Sequence, residues 1–120
     1  MNSMKLRQAG IDYEAGVRRF LGDKELYETV LTAFLADTAM ERALSAFARH
    51  DRASLFASAH ELKGSSGNAD MTDVYATSCA LVSLLRDATS TDDEIADSFM
   101  RLKEAYVNAM DGIREASEDR

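Results

Sequence analysis

Not one proline occurs in the 120 residues of this chain, and glycine occurs only six times. Proline lacks the amide N–H that a helix interior needs, and glycine weakens a helix through backbone entropy. A chain nearly free of both is open to long, uninterrupted helices. Apolar residues recur at steps of three and four nearly everywhere, and no segment alternates as a strand would. The spacing predicts a short helix from Asp12 to Leu21, broken at Gly22, and then a long helix capped by Asp23 and running to Arg49. Tyr27, Val30, Leu31, Phe34, Leu35, Leu44 and Phe47 form its inward stripe. His50 and Asp51 mark the next turn, with Asp51 as a cap.

A third helix covers Arg52 to Gly67, with Leu55, Ala59, Leu62 and Ser66 on one face and a break over Asn68 to Asp70. A fourth runs from Met71 to Ala88, with Val74, Ser78, Leu81 and Leu85 inward and Tyr75 and Val82 beside them. Thr91 and Glu94 have capping-box spacing. The last helix carries Ile95, Phe99, Leu102, Tyr106, Ala109 and Ile113 inward. The expected fold is all-α: an antiparallel four-helix bundle with a short extra N-terminal helix. Residues 1–120 form a single domain, with 1–10 and 117–120 as flexible tails. Burying each Leu or Phe of the facing stripes contributes about 1.5–3 kcal/mol.

The formal charge is −7, which argues against nucleic-acid binding, since duplex affinity rests on cations. No apolar run approaches the ~20 residues that span a bilayer. Lys5 and Arg7 precede no apolar stretch, so the start does not read as a signal peptide, and the expected location is the cytoplasm. The single cysteine, Cys79, cannot form an internal disulfide and reads as a small core residue. His50, near a helix end, reads as structural.

The chemistry concentrates in His60-Glu61-Leu62-Lys63-Gly64-Ser65-Ser66-Gly67-Asn68. Helical neighbours lie three and four apart, which groups His60 with Lys63 and Gly64, with Gly67 one turn on and Phe56 one turn before. This face adjoins the apolar stripe without coinciding with it, so His60 is expected to reach solvent. Two glycines inside a helix cost about 0.5–1 kcal/mol each relative to alanine, and the apolar seam requires neither. Small residues beside an exposed imidazole leave room for another protein. A neutral imidazole is nucleophilic near neutral pH, and Lys63 balances the charge of a phosphoryl group. Ser65 and Ser66 are expected to bond preceding helical carbonyls or to edge the site, with packing as the role of Ser66. An incidental surface histidine with a frayed helix end at Gly64–Gly67 is the competing reading.

His60, Leu62, Lys63 and Gly64 stand in the order of the signature of the histidine phosphotransfer (HPt) domain, which this segment resembles. Ile11-Asp12, Gly22-Asp23, Leu26-Tyr27, Phe34, Ala59 and Gly67-Asn68 extend the likeness. The resemblance implies a carrier that is not an independent enzyme. In it His60 is the phosphoacceptor and Lys63 gives electrostatic assistance, while Phe56, Gly64, Gly67 and Asn68 dock the partner. Partners would be receiver domains of response regulators or hybrid kinases, meeting a monomer. Magnesium would belong to the receiver, with no metal or cofactor held here. The chain departs from the family pattern at Ala69-Asp70, where an apolar residue and glycine are usual and Asp70 is expected to cap the next helix instead. It departs again at Val82, where many members carry a glutamine or glutamate that bonds the histidine ring.

Two other classes stay open. One is a non-phosphorylated helical adaptor; the other is the phosphoacceptor helix of a histidine kinase. Independent catalysis lacks its motifs: no phosphate-binding loop is present, and His60 has no second histidine at zinc-helix spacing.

Overall fold

A computed structural model describes residues 1–118, and all regular structure among them is helical. The helices are α1 (Ser3–Gln8), α2 (Tyr13–Arg19), α3 (Lys24–Ala33), α4 (Ala39–Ala48), α5 (Arg52–Asn68), α6 (Thr72–Arg86) and α7 (Asp92–Glu118), with a 3-10 turn at Phe34–Ala36 between α3 and α4. The bundle consists of α3 with α4, then α5, α6 and α7. α5 packs between α4 and α6, and α7 closes on α6. Phe47 of α4 stacks on Phe99 of α7 with centroids 4.4 Å apart, sealing the fourth side.

Local chemistry sets most boundaries. Asp12, Asp23 and Asp51 each accept a first-turn amide of the helix that follows. Thr91 and Glu94 form the expected reciprocal box, Glu94 N donating to Thr91 Oγ1 and Thr91 N to Glu94 Oε1. α4 and α5 are joined through His50 at φ 55°, and α5 and α6 through Asp70 at φ 53°. In both turns the next amide reaches back five residues, Asp51 N to Ala46 O and Met71 N to Ser66 O. This left-handed closure satisfies the last carbonyls of the helix.

Three expectations need correction. The helix expected from Asp23 to Arg49 is two helices. Asp37 is extended at ψ 139°, and its Oδ1 accepts Ala39 N at 2.7 Å, an alternative to the helical ladder that aspartate favours. The break rephases the stripe: Ala39, Met40, Ala43 and Ala46 are buried, while Leu35 and Leu44 are exposed. The expected tail over residues 1–10 instead contains α1, whose Leu6 is fully buried and which packs along α7. At the other end, α7 continues through Ser117 to Glu118, and the remainder of the expected 117–120 tail lies outside the described residues. Finally, Asp70 does not cap α6; the N-cap residue is Met71, with no side-chain cap bond.

Candidate phosphoacceptor site

α5 runs unbroken through both of its glycines to Asn68, rather than fraying at Gly64. Leu55, Ser58, Ala59, Leu62 and Ser66 are buried against α4 and α6, which leaves His60 exposed on the opposite flank. Ser65 Oγ bonds Glu61 O at 3.1 Å, and the fully buried Ser66 bonds Lys63 O at 3.4 Å. Both serines thus serve the helix.

His60, Lys63, Gly64, Gly67 and Asn68 line one open groove of about 590 Å³, walled on the far side by Tyr75 of α6. Phe56 lies outside it, with its ring 5.8 Å from the imidazole and tilted by 31°. Among the described residues the His60 ring makes no hydrogen bond. Val82 is buried and offers no donor or acceptor side chain, and the Phe56 ring is the aromatic neighbour of the imidazole. The guanidinium of Arg86, 5.4 Å above the same Phe56 ring, is a cation–π partner that the spacing on α5 could not announce.

Lys63 is half-buried and forms no ion pair among the described residues. Its nearest sequence acid, Glu61, is occupied: Arg42 of α4 holds it bidentately at 2.7 and 3.1 Å. That bond keeps the Glu61 carboxyl below its ordinary range. The acid beside the histidine is therefore spent on α4, and the cation one turn away stays available. Among the described residues no three His, Cys, Asp or Glu side chains converge to hold a metal ion.

The two glycines differ. A Cβ on Gly64 would meet nothing within 4 Å, so no intramolecular packing calls for glycine there. A Cβ on Gly67 would stand 2.9 Å from the Tyr75 ring, so glycine there admits α6 to close contact, a packing role alongside the docking role expected of it. Gly64→Ala is therefore expected to raise stability by about 0.5–1 kcal/mol, the helix-propensity difference. Gly67→Ala should lower it or leave it no higher, because the tyrosine must move. Urea unfolding of both variants checks this; equal gains in stability would refute the distinction.

An exposed histidine thus stands on α5 with a free lysine and an uncovered glycine beside it. The Hpt domain family model matches residues 30–116, and this chain belongs to that family. No curated protein and no solved structure matches the chain. The matched span takes in the last four residues of α3, α4 to α6, and all but the last two residues of α7, and leaves α1 and α2 outside it.

Proposed function

We propose that this chain is a cytoplasmic phosphocarrier of a multistep phosphorelay, taking a phosphoryl group from a receiver-domain aspartate onto His60 and passing it to another receiver. One observation carries this reading. His60 stands exposed in the groove beside the unpaired Lys63 and a glycine whose missing side chain leaves open space. An unprotonated imidazole nitrogen attacks phosphorus, an N–P bond forms, and the acyl phosphate P–O bond breaks, with the electron pair leaving on the aspartate carboxylate. Passage to the next receiver reverses these steps on a new carboxylate. Lys63 stabilises the charge on the transferring oxygens, where electrostatics and positioning supply most of the assistance. The receiver contributes its aspartate and its magnesium ion; this chain contributes the nucleophile, a cation and room to dock, and works as a monomer.

The test is a receiver domain charged with a small phosphodonor and mixed with this chain. The expected result is label on the chain that is stable in alkali and labile in acid, as an N–P bond requires. Lys63→Ala should slow labelling by roughly three- to tenfold with unchanged thermal unfolding. A chain that binds receivers yet takes no label is a helical adaptor, and the phosphocarrier reading then fails. Label acquired from ATP alone, without a receiver, would favour a kinase acceptor helix.

A further inference from the structure

The groove that holds His60 extends along α5 to the α5–α6 turn, and its far end is closed by a residue from outside the family-matched span. Arg19, the last residue of α2, lines the same groove. Its guanidinium is held bidentately by Asp70, with Nε to Oδ2 at 2.8 Å and Nη2 to Oδ1 at 3.2 Å. The Arg19 side chain stays half exposed, at 49%, whereas that of Asp70 is 13% exposed. The carboxylate is thus turned inward, and the cation is presented to solvent.

Three permanently charged side chains line this groove: Arg19, Lys63 and Asp70. With the imidazole neutral, the lining carries one net positive charge, and without Arg19 it carries none. The sign matters because the whole chain is at −7, and a partner bearing a phosphorylated, carboxylate-lined site is anionic as well. Two negative bodies approach slowly unless the contact faces are locally complementary. We propose that the Arg19–Asp70 pair sets the charge of the phosphoacceptor groove, with Arg19 as a partner-steering residue that α2 delivers to an acidic receiver face. This rests on the phosphocarrier reading above.

The pair offers an unusually clean test, because one bridge can be broken from either side with opposite electrostatic consequences. Arg19→Gln removes the cation; Asp70→Asn removes the anion and leaves the cation free. Asparagine tolerates the left-handed backbone at position 70, where φ is 53°, so the turn should persist. A receiver domain charged with acetyl phosphate is mixed with wild type and both variants at low and high ionic strength. Circular dichroism melts verify folding.

Arg19→Gln should slow labelling of His60 about threefold to tenfold at low salt, and Asp70→Asn should speed it severalfold. The two rates should converge on wild type near 0.5 M salt, as screening removes steering. Both variants slowing alike would mean that the bridge acts only as a tether, and would overturn the inference; so would rates equal to wild type at low salt. A wild-type chain that takes no label overturns the phosphocarrier reading and this inference with it, whereas a labelled wild type with variants shifted the same way overturns this inference alone.

Discussion

His60→Gln is expected to abolish phosphoryl labelling while leaving the thermal unfolding of the bundle unchanged within error. The two halves of that result come from the same geometry. The imidazole is exposed, makes no hydrogen bond among the described residues, and lies beside the Phe56 ring. An exposed helical position that forms no cap and fills no cavity usually changes stability by less than about 0.5 kcal/mol. Glutamine keeps good helix propensity and similar bulk, but its amide nitrogen has no lone pair to give to phosphorus. Labelling should therefore fall by the whole signal rather than by a factor. The other histidine gives an internal control: His50 sits in the α4–α5 turn at φ 55°, and His50→Asn, suited to that backbone, should label normally. Phosphate retained on the His60→Gln variant at the wild-type level would remove His60 from the mechanism.

Features fixed within one turn of chain were the most legible in the sequence. The Asp51 cap, the Thr91–Glu94 box and the buried phase of α5 depend on neighbours three or four residues away, and they stand where spacing put them. Grouping His60, Lys63 and Gly64 needed only helical geometry. The break at Asp37 was locally encoded as well, but its signal is one aspartate competing with the helical ladder, and strong apolar periodicity on both sides concealed it.

What lay out of reach was tertiary. α1 exposes half of its six residues and buries Leu6 alone, so no amphipathic stripe marked it as packed. Arg19 and Asp70 are 51 residues apart, and nothing on α2 announces that it reaches the groove. The departure at Asp70 from the family's usual glycine becomes intelligible only with coordinates. The backbone there is left-handed, which glycine adopts freely and aspartate tolerates, and the carboxylate gained is what holds Arg19.

Tyr27→Ala should be the most destabilising single change on the flank of the bundle that supports the groove. Tyr27 is fully buried in α3. Phe20 of the α2–α3 loop stacks on it at 5.7 Å, and Tyr13 of α2 meets it at 5.8 Å with a 50° tilt. Gly16 lets α2 come so close that any Cβ there would collide with the ring. The hydroxyl then crosses to the end of α5 and donates to Ala69 O at 2.7 Å. One side chain thus joins α2, α3 and the α5–α6 turn that carries Asp70.

Truncation to alanine empties that space and should cost about 3–5 kcal/mol, as large aromatic-to-alanine changes do, with a fall in melting temperature on the order of 10–20 °C. Tyr27→Phe keeps the ring and deprives only the Ala69 carbonyl, for about 1–3 kcal/mol. The buried phenol also predicts a pH profile. Burial, then the charges of Asp70 and Asp12, raises its pKa, and burial with the Glu28 hydrogen bond pushes Tyr13 up to about 12. The folded state thus holds both protons more tightly than the unfolded chain. Their contribution is complete below about pH 10, where unfolded tyrosine begins to ionise, and is lost as pH climbs toward the folded values. Urea unfolding between pH 7 and 11 should show a plateau and then a decline, and the decline should be shallower in Tyr27→Phe. If Tyr27→Ala loses less than about 1 kcal/mol, the ring does not hold these elements together, and the placement of Arg19 at the groove must rest on the Asp70 bridge alone.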